Sequence, residues 1–157
     1  MLFFSNANIA DPAEYARRLD AARKLAEITG LELIEDKVSH GEWLEKVAKG
    51  FEDEPEGGAR CRRCFEFSLR RAAMMGYPAF TTSLTISPHK NSKMVFEAGR
   101  AAEEACGSKF LEINFKKNNG FLESIRLAKE YGLYRQSFCG CEYSYAAMLA
   151  RKASQDA

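Results

Sequence analysis

Residues 2–14 read Leu2-Phe3-Phe4-Ser5-Asn6-Ala7-Asn8-Ile9-Ala10-Asp11-Pro12-Ala13-Glu14, and this stretch decides the fold class. The apolar run Leu2 to Ser5 has the length and composition of a short strand. Asp11 is a good N-cap, and Pro12 suits the first helical position, where no N–H is needed. Glu14 stands where a capping-box carboxylate reaches back to the cap. Tyr15, Leu19, Ala22 and Ala26 continue at helical spacing until Gly30 stops the helix. A strand, a polar loop and a capped helix make the first half of a β–α–β unit.

Outward from there the alternation continues. Leu31 to Ile34 reads as a strand, Gly41 to Lys49 as a short helix carrying Trp43, Leu44, Val47 and Ala48, and the acidic, Gly-rich stretch Glu52 to Gly58 as a loop. Cys61, Cys64, Phe65, Ser68, Leu69 and Ala72 fall at helical spacing and predict a helix ending at Gly76. Ala79 to Leu84 is rich in strand formers. Thr85 to Lys90 leads into a helix that runs to about Cys106, Phe110 to Phe115 is a further strand, and helices follow over Phe121–Tyr131 and Tyr143–Arg151. With neither a repeat nor a linker, residues 1–157 are expected to form a single α/β domain with a mainly parallel sheet and flanking helices. Loops after strand C-termini carry the chemistry in such sheets, and Ser5–Asn8 and Thr81–Lys90 lie there.

A chain of 157 residues with 46% hydrophobic and 29% charged content can bury a core and is not of disordered composition. No apolar run approaches the roughly 20 residues of a membrane span. The first residues lack the basic and apolar regions of a secretory signal, so a cytoplasmic protein with no membrane partner is expected. The net charge of +1 says nothing about a nucleic-acid partner, but local charge does. Arg60, Arg62, Arg63, Arg70 and Arg71 crowd the first cysteine pair, and Lys116, Lys117, Arg126 and Arg135 precede the second. Such a basic zone suits a phosphate-bearing substrate, with ordinary solvated helix faces as the alternative.

Four of the five cysteines form two tight pairs, Cys61-Arg62-Arg63-Cys64 and Cys139-Gly140-Cys141. Thiolates are soft metal ligands and redox nucleophiles, and in a reducing cytosol close pairs are more often metal-binding or catalytic than structural. Cys61 and Cys64 span one turn at a helix N-terminus, which favours thiolates. They fit half of a zinc site or half of an iron–sulfur site better than a thioredoxin-like dithiol, because Arg62-Arg63 after a Gly-rich loop is foreign to the last. Cys139 and Cys141 can close a small strained disulfide, easily reduced and suited to electron relay. Alternatively all four cysteines share one zinc in a nucleic-acid-binding domain. Gly140 permits either geometry. Cys106 reads as a small buried hydrophobe, and of the two histidines, His40 and His89, the latter reads as a surface loop residue. Tyr134-Arg135-Gln136 puts an aromatic face, a cation and an amide side by side, groups that stack on bases and hold phosphate.

Four blocks occur in order: Glu56-Gly57-Gly58-Ala59-Arg60-Cys61-Arg62-Arg63-Cys64-Phe65; Phe80-Thr81-Thr82-Ser83-Leu84-Thr85-Ile86-Ser87-Pro88-His89-Lys90-Asn91; Phe115-Lys116-Lys117-Asn118-Asn119-Gly120; and Tyr134-Arg135-Gln136-Ser137-Phe138-Cys139-Gly140-Cys141-Glu142-Tyr143-Ser144. Together they closely resemble the QueH-type epoxyqueuosine reductases over nearly the whole chain. Asn6-Ala7-Asn8-Ile9 before the Glu14-Tyr15 helix is similar to that family's Asn-Pro-Asn-Ile segment. The resemblance implies a three-layer Rossmann-like (HUP-like) fold and the last step of queuosine synthesis on tRNA. In that step the epoxide of epoxyqueuosine at the wobble position is reduced with loss of water, using two electrons and two protons. It further implies a [4Fe-4S] cluster with Cys61 and Cys64 among its ligands, and a redox-active Cys139–Cys141 pair. A second mononuclear metal, iron or zinc, is a further candidate cofactor. The implied partners are tRNA and an unidentified electron donor, with Tyr134, Arg135, Lys116 and Lys117 as candidate tRNA contacts.

Two departures stand out. Family members begin with a strand ending in an adjacent cysteine pair, within a Cys-Cys-Ala-Pro-Cys-like stretch, that supplies the other two cluster ligands. This sequence has no such stretch, so its first strand is expected to correspond to the family's second. A strand and helix of about 25–35 residues are then expected to be missing. Asn114 stands where many relatives carry aspartate, and an amide has no ionisable proton near neutral pH. With only Cys61 and Cys64 as cluster ligands if Cys139 and Cys141 stay a redox pair, the chain alone is expected not to hold a stable [4Fe-4S] cluster. Iron and sulfide contents after anaerobic reconstitution check this, and about four of each per chain, the content of such a cluster, would contradict it.

Overall fold

Asp11 caps the first helix as its sequence requires, its carboxylate accepting the Ala13 N–H at 3.0 Å, with Pro12 leading the helix and Gly30 closing it at φ +66°. In the computed structural model, which describes residues 1–155, this helix, α1 (Pro12–Thr29), connects two parallel strands, β1 (Leu2–Phe4) and β2 (Leu33–Glu35). Leu2 pairs with Leu33, Phe3 with Ile34 and Phe4 with Glu35. Phe4 meets Tyr15 of α1 edge-on at 5.4 Å, and the Tyr15 hydroxyl donates to Glu35 at 3.0 Å. The capping-box expectation for Glu14 is not met. Its side chain turns inward and is 1% exposed, because stronger partners wait in the interior.

The chain divides into two compact units, one comprising Met1–Glu56 and the segment from Gly132 onward, the other Gly57–Tyr131. In the first, Ser39 caps α2 (His40–Trp43), which runs directly into a π turn over Leu44–Ala48 and buries Trp43, Val47 and Ala48. Its last helix, which we number α6 (Glu142–Gln155), follows the second cysteine pair.

In the second unit, α3 (Ala59–Ala73) packs on α4 (Ser92–Cys106) around Phe65, Leu69, Ala73, Val95, Ala98, Ala102 and Phe110. Strands β3 (Ala79–Phe80) and β4 (Lys109–Phe110) pair in parallel beside them. Both are shorter than the sequence predicts, and hydroxyl groups are the reason. Thr82 accepts the Leu84 N–H at 3.2 Å and starts a 3₁₀ turn over Ser83–Ile86. Beyond β4, the Thr81 hydroxyl holds the Leu111 carbonyl at 2.8 Å. The fully buried Thr85 hydroxyl donates to the Ile113 carbonyl at 2.8 Å and accepts the Phe115 N–H at 3.2 Å. Side-chain bonds thus replace a backbone ladder. Asn118 and Asn119 then take left-handed conformations and lead into α5 (Gly120–Glu130).

The described elements are helices flanking short parallel strands, an α/β architecture, with one strand pair in each unit. Among the described residues no helix is long and apolar enough to cross a membrane.

Gly99 lets α4 close on Phe110, since a Cβ there would fall 2.2 Å from the ring. Overpacking of a core costs about 1–3 kcal/mol, so Gly99→Ala is expected to lower the denaturant midpoint accordingly. An unchanged midpoint would contradict the packing described.

Candidate functional site

In the first unit the Cys139-Gly140-Cys141 turn lies immediately before α6, with Gly140 at φ +122°, a region that side chains avoid. A Cβ on Gly140 would meet Ile9 at 2.9 Å, Arg18 at 3.2 Å and Asn8 at 3.3 Å, so glycine is required on two counts. Ala10 donates to the Gly140 carbonyl at 3.1 Å, and Gly140 donates to the Ser144 hydroxyl at 3.2 Å. Cys141 occupies the N-cap position of α6. It is 9% exposed, and its Sγ accepts the Ser144 N–H at 3.4 Å. Helix N-termini favour a thiolate at such a position. Cys139 is half-buried and thus the more open of the two.

Two residues of α1 hold this turn, Glu14, which the sequence suggested as a capping-box carboxylate, and Arg18. Glu14 is 1% and Arg18 7% exposed, and they pair across one helical turn with Arg18 Nε 2.6 Å from Glu14 Oε1. Arg18 also donates to the carbonyls of Phe138 at 3.0 Å and Cys139 at 2.8 Å. Glu14 further accepts bonds from Arg17 and from the Tyr134 hydroxyl, each at 2.7 Å. Burial pushes the Glu14 carboxyl up, but the bonds from Arg17, Tyr134 and Arg18 outweigh it and hold its pKa below the ordinary value. The sequence did carry a signal for this pair. Glu14 and Arg18 are four apart and share the helix's inward side with Leu19 and Ala26, and ions in an apolar stripe are there for a reason.

His40 is the other residue missed. Its ring stacks on Trp43 at 5.5 Å, with Nδ1 2.8 Å from the Ala7 carbonyl and Nε2 3.3 Å from Glu142 Oε1. A carbonyl only accepts, so Nδ1 carries a proton. His40 thereby ties the Asn6–Ile9 loop to the first turn of α6. Tyr134 is 40% exposed, with its hydroxyl committed to Glu14 and the Arg17 guanidinium 5.6 Å from its ring. Arg135 is exposed beside it.

The second unit holds the other candidates. Cys61 and Cys64 are half-buried on the first turns of α3, and Cys61 Sγ accepts the Gly57 N–H at 3.2 Å. Of the arginines around them, Arg60 is buried and Arg62 is paired with Glu97 at 2.8 Å, so the basic zone is partly internal. The Lys116 ammonium donates to the Lys90 carbonyl, Lys90 lies 5.5 Å from the Phe65 ring, and Lys117 is exposed. Asn114 accepts the Lys116 N–H at 3.1 Å, a turn-forming use of the amide. Cys106 packs against the α3–α4 core, and His89 is exposed.

Cys61, Cys64, Lys116 and Lys117 therefore belong to one unit, and Tyr134, Arg135, Cys139 and Cys141 to the other. All five cysteines are thiols. Two sulfurs one turn apart, one accepting a backbone N–H, suit iron or zinc in donor chemistry. Two sulfurs are half of what a four-thiolate site needs, and among the described residues no group of three or more His, Cys, Asp or Glu side chains could hold a metal.

Fold and site define an α/β thiol protein with a clamped dithiol turn in one unit and a CxxC helix in the other. The family model described as "Epoxyqueuosine reductase QueH" matches residues 1–147, and the chain belongs to that family. Proteins named epoxyqueuosine reductase QueH are 40% identical in Thermotoga maritima, over 90% of this chain and 77% of the relative. Those of Streptococcus pyogenes serotype M1 and Staphylococcus epidermidis are 37% and 33% identical, each over 91% of this chain. The chain spans 60% and 65% of the length of those two relatives.

Because the folded-state pKa of Glu14 lies below its ordinary 4.5, the carboxylate's stabilisation is fully present above that pH and is lost as pH falls through the lower folded value. Glu14→Gln is expected to cost about 3 kcal/mol near neutrality. The gap to the native protein should close in acid, as read by denaturant unfolding across pH. A pH-independent gap would contradict an ionised Glu14.

Proposed function

We propose that this chain carries the epoxyqueuosine reductase activity for which its relatives are named, reducing the epoxide of epoxyqueuosine at the tRNA wobble position to queuosine. The observation that carries this reading is the Cys139-Gly140-Cys141 turn seated on the buried Glu14–Arg18 pair, in a chain that matches the family over residues 1–147. Two thiols that become one disulfide release two electrons and two protons. Opening the epoxide to an alkene and water consumes the same number, so a dithiol balances the reaction. Cys139, the more open sulfur, is the member placed to exchange with a partner. Cys141, on the Ser144 N–H, is the member whose anion the helix terminus favours.

Cys61 and Cys64 would serve as two of the four ligands of a [4Fe-4S] cluster, with the remaining thiolates supplied by other residues. Such a cluster, when bound, supplies one-electron transfer that can regenerate the dithiol. A second mononuclear metal, iron or zinc, is a further candidate cofactor. Lys116, Lys117 and Arg135 are candidate cations for phosphate, and Tyr134, 40% exposed with its hydroxyl tethered to Glu14, offers an aromatic ring for stacking on a base. With tRNA as substrate the protein is cytoplasmic, and it needs an electron donor to restore the dithiol.

The test is made at the chromosomal gene. Deletion is expected to remove queuosine from tRNA and leave epoxyqueuosine, as read by nucleoside mass spectrometry. Cys139→Ser, Cys141→Ser, Cys61→Ser and Cys64→Ser should each reproduce that pattern. Undiminished queuosine in the deletion strain would overturn the assignment.

A further inference from the structure

Arg18 is a guanidinium in the interior of the first unit, 7% exposed, and its donors converge on one short stretch of backbone. Nη2 donates to the Phe138 carbonyl at 3.0 Å, Nη1 to the Cys139 carbonyl at 2.8 Å, and the group lies 5.4 Å from the Phe138 ring. Asn8 adds a second donor to the Cys139 carbonyl at 3.3 Å. Nε is held by Glu14, so the fork cannot swing away. The Gly140 peptide groups are anchored on either side by Ala10 and Ser144. Every one of these bonds is made while Cys139 and Cys141 are thiols.

We infer that Arg18, fixed by Glu14, is a positioning residue that stabilises the dithiol form of the Cys139–Cys141 pair and thereby raises its reduction potential. The inference rests on the reading of that pair as a redox couple. A disulfide draws two sulfurs to about 2.05 Å, and across a single glycine this requires the peptides flanking Gly140 to turn. Those are the peptides whose carbonyls and N–H groups the clamp holds in the dithiol geometry. Any interaction stronger in the dithiol than in the disulfide makes the couple more oxidising, so the disulfide formed in each turnover is more readily reduced again. A planar fork reaches two successive carbonyls and a carboxylate at once, whereas an ammonium in the same place meets Glu14 but cannot span both carbonyls.

The experiment equilibrates the full chain with mixtures of reduced and oxidised glutathione, in which the dithiol and one glutathione disulfide give the protein disulfide and two glutathione thiols. The oxidised fraction is read by alkylation and mass spectrometry of the Cys139–Cys141 peptide. Arg18→Lys, which keeps the charge against Glu14, is expected to favour the protein disulfide about tenfold, which is about 30 mV to the negative. Arg18→Gln should shift at least as far, and Asn8→Ala, outside the ion pair, by about threefold in the same direction. A folded Arg18→Lys protein with the native equilibrium, or one shifted the opposite way, would overturn the inference. Should neither Arg18 variant fold, an unshifted Asn8→Ala protein would overturn it. If the native chain forms no Cys139–Cys141 disulfide at any glutathione ratio, the redox reading itself fails, and the inference with it. A native disulfide with no shift in the variants removes the Arg18 role alone.

Discussion

A carboxylate and a guanidinium buried one helical turn apart are the constraint around which the first unit is built. Isolated burial of either ion would cost several kcal/mol, on the order of an effective ionic desolvation penalty. Together, Glu14 and Arg18 leave the remaining oxygens and N–H groups aimed outward at Arg17, Tyr134 and the backbone of Phe138 and Cys139. Such a pair adds little net stability over a hydrophobic replacement, but it is directional. It tells the loop from Tyr134 to Cys141 where to lie against α1, and the required geometry of Gly140 follows from that seating, because Arg18 and Asn8 occupy the space a side chain would need.

The second unit solves a different problem with neutral groups. Strands β3 and β4 end early, and the buried Thr85 hydroxyl links the two loops that succeed them by accepting one backbone bond and donating another. This is the region that carries Lys116 and Lys117, so the placing of those cations depends on one buried hydroxyl and on the asparagine turns that follow. In the first unit the dithiol turn is a loop fixed by side chains of a regular element, α1. That arrangement holds the backbone of the turn while Cys139 stays partly open.

Much of this was legible from residues alone where the signal is local. The N-cap at Asp11, the stop at Gly30, the helical spacing from Cys61 through Ala72 and the placing of Cys139-Gly140-Cys141 in a turn each depend on a few neighbouring residues, and the structure has them there. The strands over 79–84 and 110–115 were overestimated, because β propensity does not register that Thr81, Thr82 and Thr85 would use their hydroxyls to tie the backbone off. Glu14 was assigned to its own helix cap, the nearest available partner, when its actual partners include a tyrosine 120 residues away. His40 went unread for the same reason, since Glu142 lies 102 residues from it.

By itself the sequence determined the α/β class, the order of the elements, both cysteine pairs and, through four ordered blocks, the family. These follow from short-range periodicity, capping chemistry and residue identity. Only the tertiary structure decided that α1 carries the buried ion pair seating the dithiol turn, that Tyr134 is tethered and that Cys141 rather than Cys139 is the sheltered sulfur. Those outcomes depend on which distant groups meet in the interior, where an ion must find a partner of opposite charge and a buried donor must find an acceptor. Sequence spacing does not encode which partner is reached.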